Sequence, residues 1–425
     1  GTKEIDAQFR KLTQPVYALT DRAETKVYKY WDERPQPVRS VDPSMPTSDI
    51  RATFDRISAQ QVDDEMGAGR WSLLFKPGTY GTDAEPLQVK VGYYTEVAGL
   101  GASPADVVVN GKIEVYNRCL DNGGTSNCVA LNTFWRSLSN LTLRVNGAGQ
   151  DGCRASSNFW AVSQAVSVRR VDVQGGNLSL MDYCTAGPQY ASGGFIADSR
   201  AGVVINGSQQ QWLIRNSEVG VWTNAVWNQV FAGVVGAPDA SAFPNPPYTT
   251  LERTPLSREK PLLNLSADGQ WQVTVPYAAA QTRGTTWATG ATPGRTVPLS
   301  AFFVAHPGDS LALINAALAA GKNLLLTPGV YDVDRSIVVR RAGQIVLGMG
   351  MATLTSVNGA TPLVVEDRAG IVVAGITVDA GPTTSEALLT VGAGSGRGGA
   401  RPGGATAADP LTLSDVFFRV GGPHP

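Results

Sequence analysis

The sequence predicts an all-β fold, a parallel β-solenoid laid down twice. Three observations lead there. The 425 residues include 47 glycines and 26 prolines, while only 17% are charged. That balance suits many turns and short strands, not long exposed helices. Short β-branched runs then recur between Gly/Asn/Asp turns, among them 138–145, 166–173, 203–205, 212–214, 337–339 and 371–378. Finally, one block occurs twice. A helix-like run (50–62) precedes Phe75-Lys76-Pro77-Gly78-Thr79-Tyr80, and a second (311–320) precedes Leu326-Thr327-Pro328-Gly329-Val330-Tyr331. Pro77 and Pro328 lie 251 positions apart, and the glycine-spaced strands starting at Val97 and Val346 lie 249 apart. Two matched pairs at nearly one offset indicate an internal duplication.

Taken in order, residues 1–47 are proline-punctuated and read as an extended arm. Residues 48–275 form the first solenoid, opened by the 50–62 helix as a cap. Strand starts near Leu325, Val346 and Val372 are 21 and 26 residues apart in the second copy. With no helix between them, that spacing fits coils whose inner faces are buried only by stacking on neighbours. An antiparallel sandwich also uses short strands, but nothing in it would make a capping helix and a Pro-Gly-x-Tyr strand end recur together. The stretch 238–300 holds nine prolines. It reads as the connection, with one apolar strand pair near 262–265 and 271–275. Residues 276–300 are the linker, and 301–425 begin the second solenoid.

Charge and rare residues exclude several functions. Thirty-five basic and 36 acidic residues give a net charge of −1, without the basic excess that nucleic acid or a membrane surface requires. Only two histidines occur, His306 and His424. His306 precedes Pro307-Gly308-Asp309, a turn before a helix, so a structural role is expected and no metal site or cofactor is predicted. The four cysteines, Cys119, Cys128, Cys153 and Cys184, lack a CxxC pair. They predict loop-stapling disulfides, with Cys119–Cys128 and Cys153–Cys184 preferred by proximity among three connectivities. No run of 18 apolar residues predicts a membrane span. Gly1-Thr2-Lys3-Glu4 is not a signal peptide.

Segment 157–236 resembles the N-terminal β-helix of glycoside hydrolase family 55, the exo-acting β-1,3-glucanases. The likeness is carried by Phe159-Trp160-Ala161-Val162-Ser163-Gln164-Ala165, Ala191-Ser192-Gly193-Gly194-Phe195-Ile196-Ala197-Asp198, Ser208-Gln209-Gln210-Gln211-Trp212 and Val226-Trp227-Asn228. It is greatest to the actinobacterial laminarinases and runs from about residue 45 to the end. The resemblance implies two tandem right-handed parallel β-helices packed side by side, secretion, and inverting hydrolysis of β-1,3-glucan from one chain end. The family's general acid lies in a Gln-x-Glu motif followed by a tyrosine three residues later, and this sequence has none. The second copy also stops about 115 residues in. A C-terminal segment supplying the acid is therefore an expected partner, and the chain alone is not expected to hydrolyse laminarin at the family's rate.

Inverting hydrolysis needs an acid at the leaving oxygen and a positioned water on the opposite face of the sugar. Alternation through 209–217 puts Trp212 and Ile214 inward and Gln209, Gln211, Leu213, Arg215 and Ser217 outward. Outward amides can bind hydroxyls and a water together, or form a ladder along the coil edge. The resemblance favours the cleft, making Gln164, Gln209, Gln211 and Ser217 the candidate catalytic set, with Gln210 a substrate contact. Trp160, Trp222 and Trp227 are either sugar-stacking platforms or interior residues. Asp198 and Glu218 are the nearest carboxylates, each a substrate or base candidate or a hydrogen-bonded turn residue. Arg169-Arg170 reads as a solvated pair. Sequons at Asn140, Asn177, Asn206 and Asn264 are equally explained by coil turns. The competing readings are a non-catalytic β-glucan-binding β-helix and another β-helix polysaccharide-degrading enzyme. A pectinase or lyase would want calcium-binding aspartates or basic residues facing a uronate, and the sequence pattern displays neither.

Overall fold

The computed structural model describes residues 37–423, apart from 122, 208–209, 224–227, 240–244, 246 and 394–401. The predicted arm therefore lies outside the described residues up to 36. Its end, Val38–Val41, is already a strand, parallel to Trp71–Phe75. The capping helices form at Thr47–Gln61 and Leu311–Ala319. The second begins at Ser310, whose side chain accepts from the Leu313 N–H, satisfying one of the donors a helix start leaves open.

Almost every other regular element is a strand, and two long parallel runs organise them. The first passes through Thr95–Gly99, Arg136–Val145, Val166–Gln174, Gly193–Ala197, Gln211–Arg215 and Gln229–Ala232. Its register stacks one buried apolar row, Val97 on Leu138, Val168, Ile196, Ile214 and Phe231. The second run is Phe302–Ala305, Asn323–Leu326, Ile345–Gly348, Val372–Asp379 and Thr412–Arg419, also parallel. Leu324 pairs with Val346 and Val346 with Val373, each step one residue longer than the sequence spacing suggested. Antiparallel pairing is confined to short sheets, including the predicted pair Leu262–Leu265 with Trp271–Pro276. Gly294–Pro298 adds to that pair, so much of the stretch read as linker is ordered sheet.

The duplicated block folds the same way twice. Tyr80 Oη donates to the carbonyls of Val41 (2.9 Å) and Lys76 (2.6 Å). Tyr331 Oη donates to those of Ala305 (3.0 Å) and Thr327 (2.7 Å). A Cβ on Gly78 would lie 2.1 Å from Pro43 Cγ, and one on Gly329 would lie 2.2 Å from Pro307 Cγ. Pro-Gly-x-Tyr is thus a corner in which a proline ring occupies the glycine's missing side chain and a tyrosine closes two carbonyls.

The two runs meet through a third apolar cluster that includes Leu74, Leu100, Val273, Phe302, Leu325 and Leu347. Further along, the shared face turns polar and opens. Both preferred disulfides are present, Cys119–Cys128 and Cys153–Cys184. The sequons at Asn140, Asn206 and Asn264 are buried. No helix among the described residues is long and apolar enough to cross a membrane.

Candidate active site in the cleft between the two runs

The cleft is built by the outward side chains of three successive first-run strands facing Thr412–Arg419. Its volume is about 420 Å³, and its walls include Gln164, Arg169, Phe195, Arg215, Asp415 and Phe417. At its mouth Gln164 Nε2 donates to the Ser192 carbonyl (3.1 Å). The backbone N–H of Gln211 donates to the same oxygen (3.0 Å). Both glutamine side chains are exposed. This convergence depends on Gly193 (φ 122°), where a Cβ would lie 1.8 Å from the Gln211 carbonyl oxygen. The Ser192 hydroxyl beside them is buried and has no protein partner among the described residues.

The floor is a network of charges. Asp415 accepts from Ser167 Oγ (2.9 Å), from Arg169 Nε and Nη2 (3.1 and 2.9 Å) and from Lys260 Nζ (3.1 Å). Glu259 accepts from Arg215 (3.0 Å) and Asn216 (3.2 Å). Arg258 reaches Asp409 (2.7 Å). Arg258-Glu259-Lys260 therefore lies between the runs, with Glu259 held by the first and its two neighbours held by the second. Arg169 and Lys260 keep the Asp415 carboxyl ionised well below the usual carboxylate range, overriding its burial.

A second device lies beside it. Asn140, Arg170, Asp198 and Asn216 share the left-handed conformation, with φ of 56°, 55°, 50° and 48°. They follow registered residues on neighbouring strands, so they form one row of corners. Asn and Asp tolerate this backbone better than most side chains. Arg170 spans the row, donating to Asn140 (3.2 Å), Asp198 (3.4 Å) and Thr292 (2.5 Å). Asp198 accepts from the Thr286 N–H and hydroxyl, both at 2.6 Å. Burial, then the neighbouring Glu259 carboxylate, push its carboxyl from 3.8 up to about 6.

Of the predicted set, Gln164 lines the cleft, Gln211 is exposed with its backbone N–H on the carbonyl that Gln164 holds, and the others lie apart. Gln210 is fully buried, accepting from Trp212 Nε1 (2.7 Å) and donating to the Gly207 carbonyl (2.8 Å). Ser217, expected outward, is buried because the chain bends at Asn216; its hydroxyl donates to the Arg215 carbonyl (2.9 Å) and accepts from the Ser199 N–H (3.1 Å). Trp160 and Trp222 fill the first core. Asp198 locks the connecting segment, and Glu218 does not line the cleft. Gln209 and Trp227 lie outside the described residues. The sequence reading missed Arg169, Arg215, Glu259, Lys260 and Asp415. Arg169 and Arg170 are buried, not solvated. Period-2 alternation could have placed Arg169 outward, but only the opposing run makes an outward residue buried.

The fold is a nearly all-β one built on long parallel sheets, and residues 302–425 match the family model of the LAM55 pectate lyase-like domain. The chain is 45% identical over 386 residues to an exo-beta-1,3-glucanase of Streptomyces sp. strain SirexAA-E, covering 90% of this chain and 58% of that protein. The solved structure of sacteLam55A from the same organism superimposes with a TM-score of 0.79 at 44% identity, covering 92% of this chain and 65% of that one. A glutamate-to-alanine variant of sacteLam55A in complex with glucose gives the same TM-score at 43% identity and the same coverage. The chain belongs to glycoside hydrolase family 55, and it spans less than two thirds of the length of these relatives.

Proposed function

We propose that this chain carries the substrate-holding face of a secreted enzyme that hydrolyses β-1,3-glucan from the chain end with inversion. On this reading the two parallel runs are tandem right-handed β-helices, divided as 48–275 and 301–425, and the glucan end enters between them. The observation that carries it is the cleft itself, whose walls join Gln164 and Arg215 of the first run to Thr412–Arg419 of the second, with Gln211 exposed on the strand that carries Arg215. The exposed side-chain amides of Gln164 and Gln211 can bind sugar hydroxyls and a water at the face of the sugar opposite the leaving oxygen. The general acid is not Asp415, whose cationic partners keep it ionised. Glu259 is occupied by Arg215 and Asn216 and does not line the cleft. We place the acid in the portion of the family's length that this chain does not span, packed against Thr412–Arg419.

The test is Gln211→Ala in an enzyme comprising this chain and that remaining portion. A misplaced water should lower kcat on laminarin by about a hundredfold while KM changes little, because the loss falls on the transition state. Unchanged kcat would return the glutamines to a structural role. Glucan binding without turnover in the unmutated enzyme would favour the non-catalytic module.

A further inference from the structure

A second groove, sharing no residue with the cleft, lies between the capping helix Thr47–Gln61 and the strands Leu87–Lys90 and Val107–Glu114, which pair beside the first run. Its volume is also about 420 Å³, within the range of ligand pockets. Beneath it is a fully buried ion pair, Lys112 with Glu114 at 3.0 Å. Such a pair is a poor source of stability, because desolvation offsets its attraction. Here it fixes the groups that face the groove. Lys112 Nζ donates to Gln150 Oε1 (2.6 Å), so the Gln150 amide presents its N–H donors. Tyr116 Oη donates to Glu114 (2.6 Å), so its oxygen can still accept. Gln88 Nε2 donates to the carbonyls of Asn146 (3.0 Å) and Ala148 (3.1 Å), so its Oε1 is left to accept. Ser58 and Lys90 add donors from either wall.

The formal charges also decide the ligand class. Asp55 and Glu114 are offset by Lys90 and Lys112, so neither an anion nor a cation is favoured. Oriented donors alternating with acceptors suit a neutral, hydroxyl-rich chain. We propose that this groove is a second β-glucan-binding site, which holds polymer beside the first run while a chain end is in the cleft. The proposal rests on the glucanase reading of the cleft.

The test uses Ala59→Arg, which fills the groove from an exposed helix position, and Lys90→Ala, which removes one contact without disturbing the buried pair. Each is made in the whole enzyme and compared with the parent by co-sedimentation with insoluble β-1,3-glucan and by hydrolysis of a soluble β-1,3-linked trisaccharide. Retention on the glucan should fall about tenfold in Ala59→Arg and several-fold in Lys90→Ala, with trisaccharide hydrolysis unchanged. Retention equal to the parent in both variants overturns the proposal. A parent that is retained through the groove yet never hydrolyses the trisaccharide overturns the cleft reading and leaves the groove standing.

Discussion

Asp198 and Asp415 occupy the same kind of corner in the two runs, with φ of 50° and 49°, yet their carboxyls are shifted in opposite directions, up for Asp198 and down for Asp415. Asp415 faces Arg169 in a two-point contact and Lys260 as well. Asp198 has one longer contact to Arg170 and the Glu259 carboxylate nearby. Two aspartates with one backbone conformation therefore differ because of what the opposite wall presents. The left-handed corner selects a residue type that tolerates it. The inter-run charges then determine whether that residue is an ionised staple or a carboxyl that titrates near pH 6.

The comparison is broken most severely at Asp415. Asp415→Asn keeps a side chain suited to the corner but removes the anion that holds Lys260 and leaves Arg169 with only its longer contact to Glu259 (3.6 Å). A loss of about 3–5 kcal/mol is expected, read by urea unfolding at pH 7. The sign with pH follows from the lowered carboxyl. Its stabilisation is present above the unfolded value near 3.8 and is lost as pH falls below it. The variant should therefore lack part of the parent's acid lability, and an equal pH 7 stability would mean that the network is not a staple.

The duplicated corners give the next largest effects. Gly78→Ala and Gly329→Ala each drive a Cβ into a proline ring, with an expected cost of roughly 1–3 kcal/mol. The two costs should agree, and thermal unfolding in which one variant is silent would show the repeat to be formal only. Tyr331→Phe should then cost roughly 1–3 kcal/mol, because the Ala305 and Thr327 carbonyls lose a buried donor; Tyr80→Phe should match it.

The smallest effect, a pH slope, sharpens the contrast directly. Asp198 titrates near 6 in the folded protein and near 3.8 when unfolded, so the folded state binds the extra proton between those values. Its contribution to stability is fully present below about pH 4, falls as pH rises to about 6, and is flat above. Glu259→Gln should reduce this slope by removing the neighbouring negative charge. Stability curves from pH 4 to 7 that superimpose for parent and variant would refute the coupling.

Much of the architecture was already legible in the sequence, for local reasons. Alternation put Trp212 and Ile214 inside and Gln211 outside, because a strand's side chains alternate regardless of its neighbours. Pro-Gly-x-Tyr marked both corners, because a glycine against a proline ring is a short-range steric requirement. Cysteine proximity gave both bridges. The cleft was legible only in part. Gln164 lies on its wall and Gln211 is exposed as the alternation expects, whereas Arg169, Glu259, Lys260 and Asp415 come from three distant stretches and read individually as ordinary surface charge. Ser217 failed the alternation because Asn216 leaves the strand conformation. Which charges are buried depends on the surface packed against them. Docking of the second run on the first made those ions a network, since desolvation and pairing arise only when two remote surfaces close on one another.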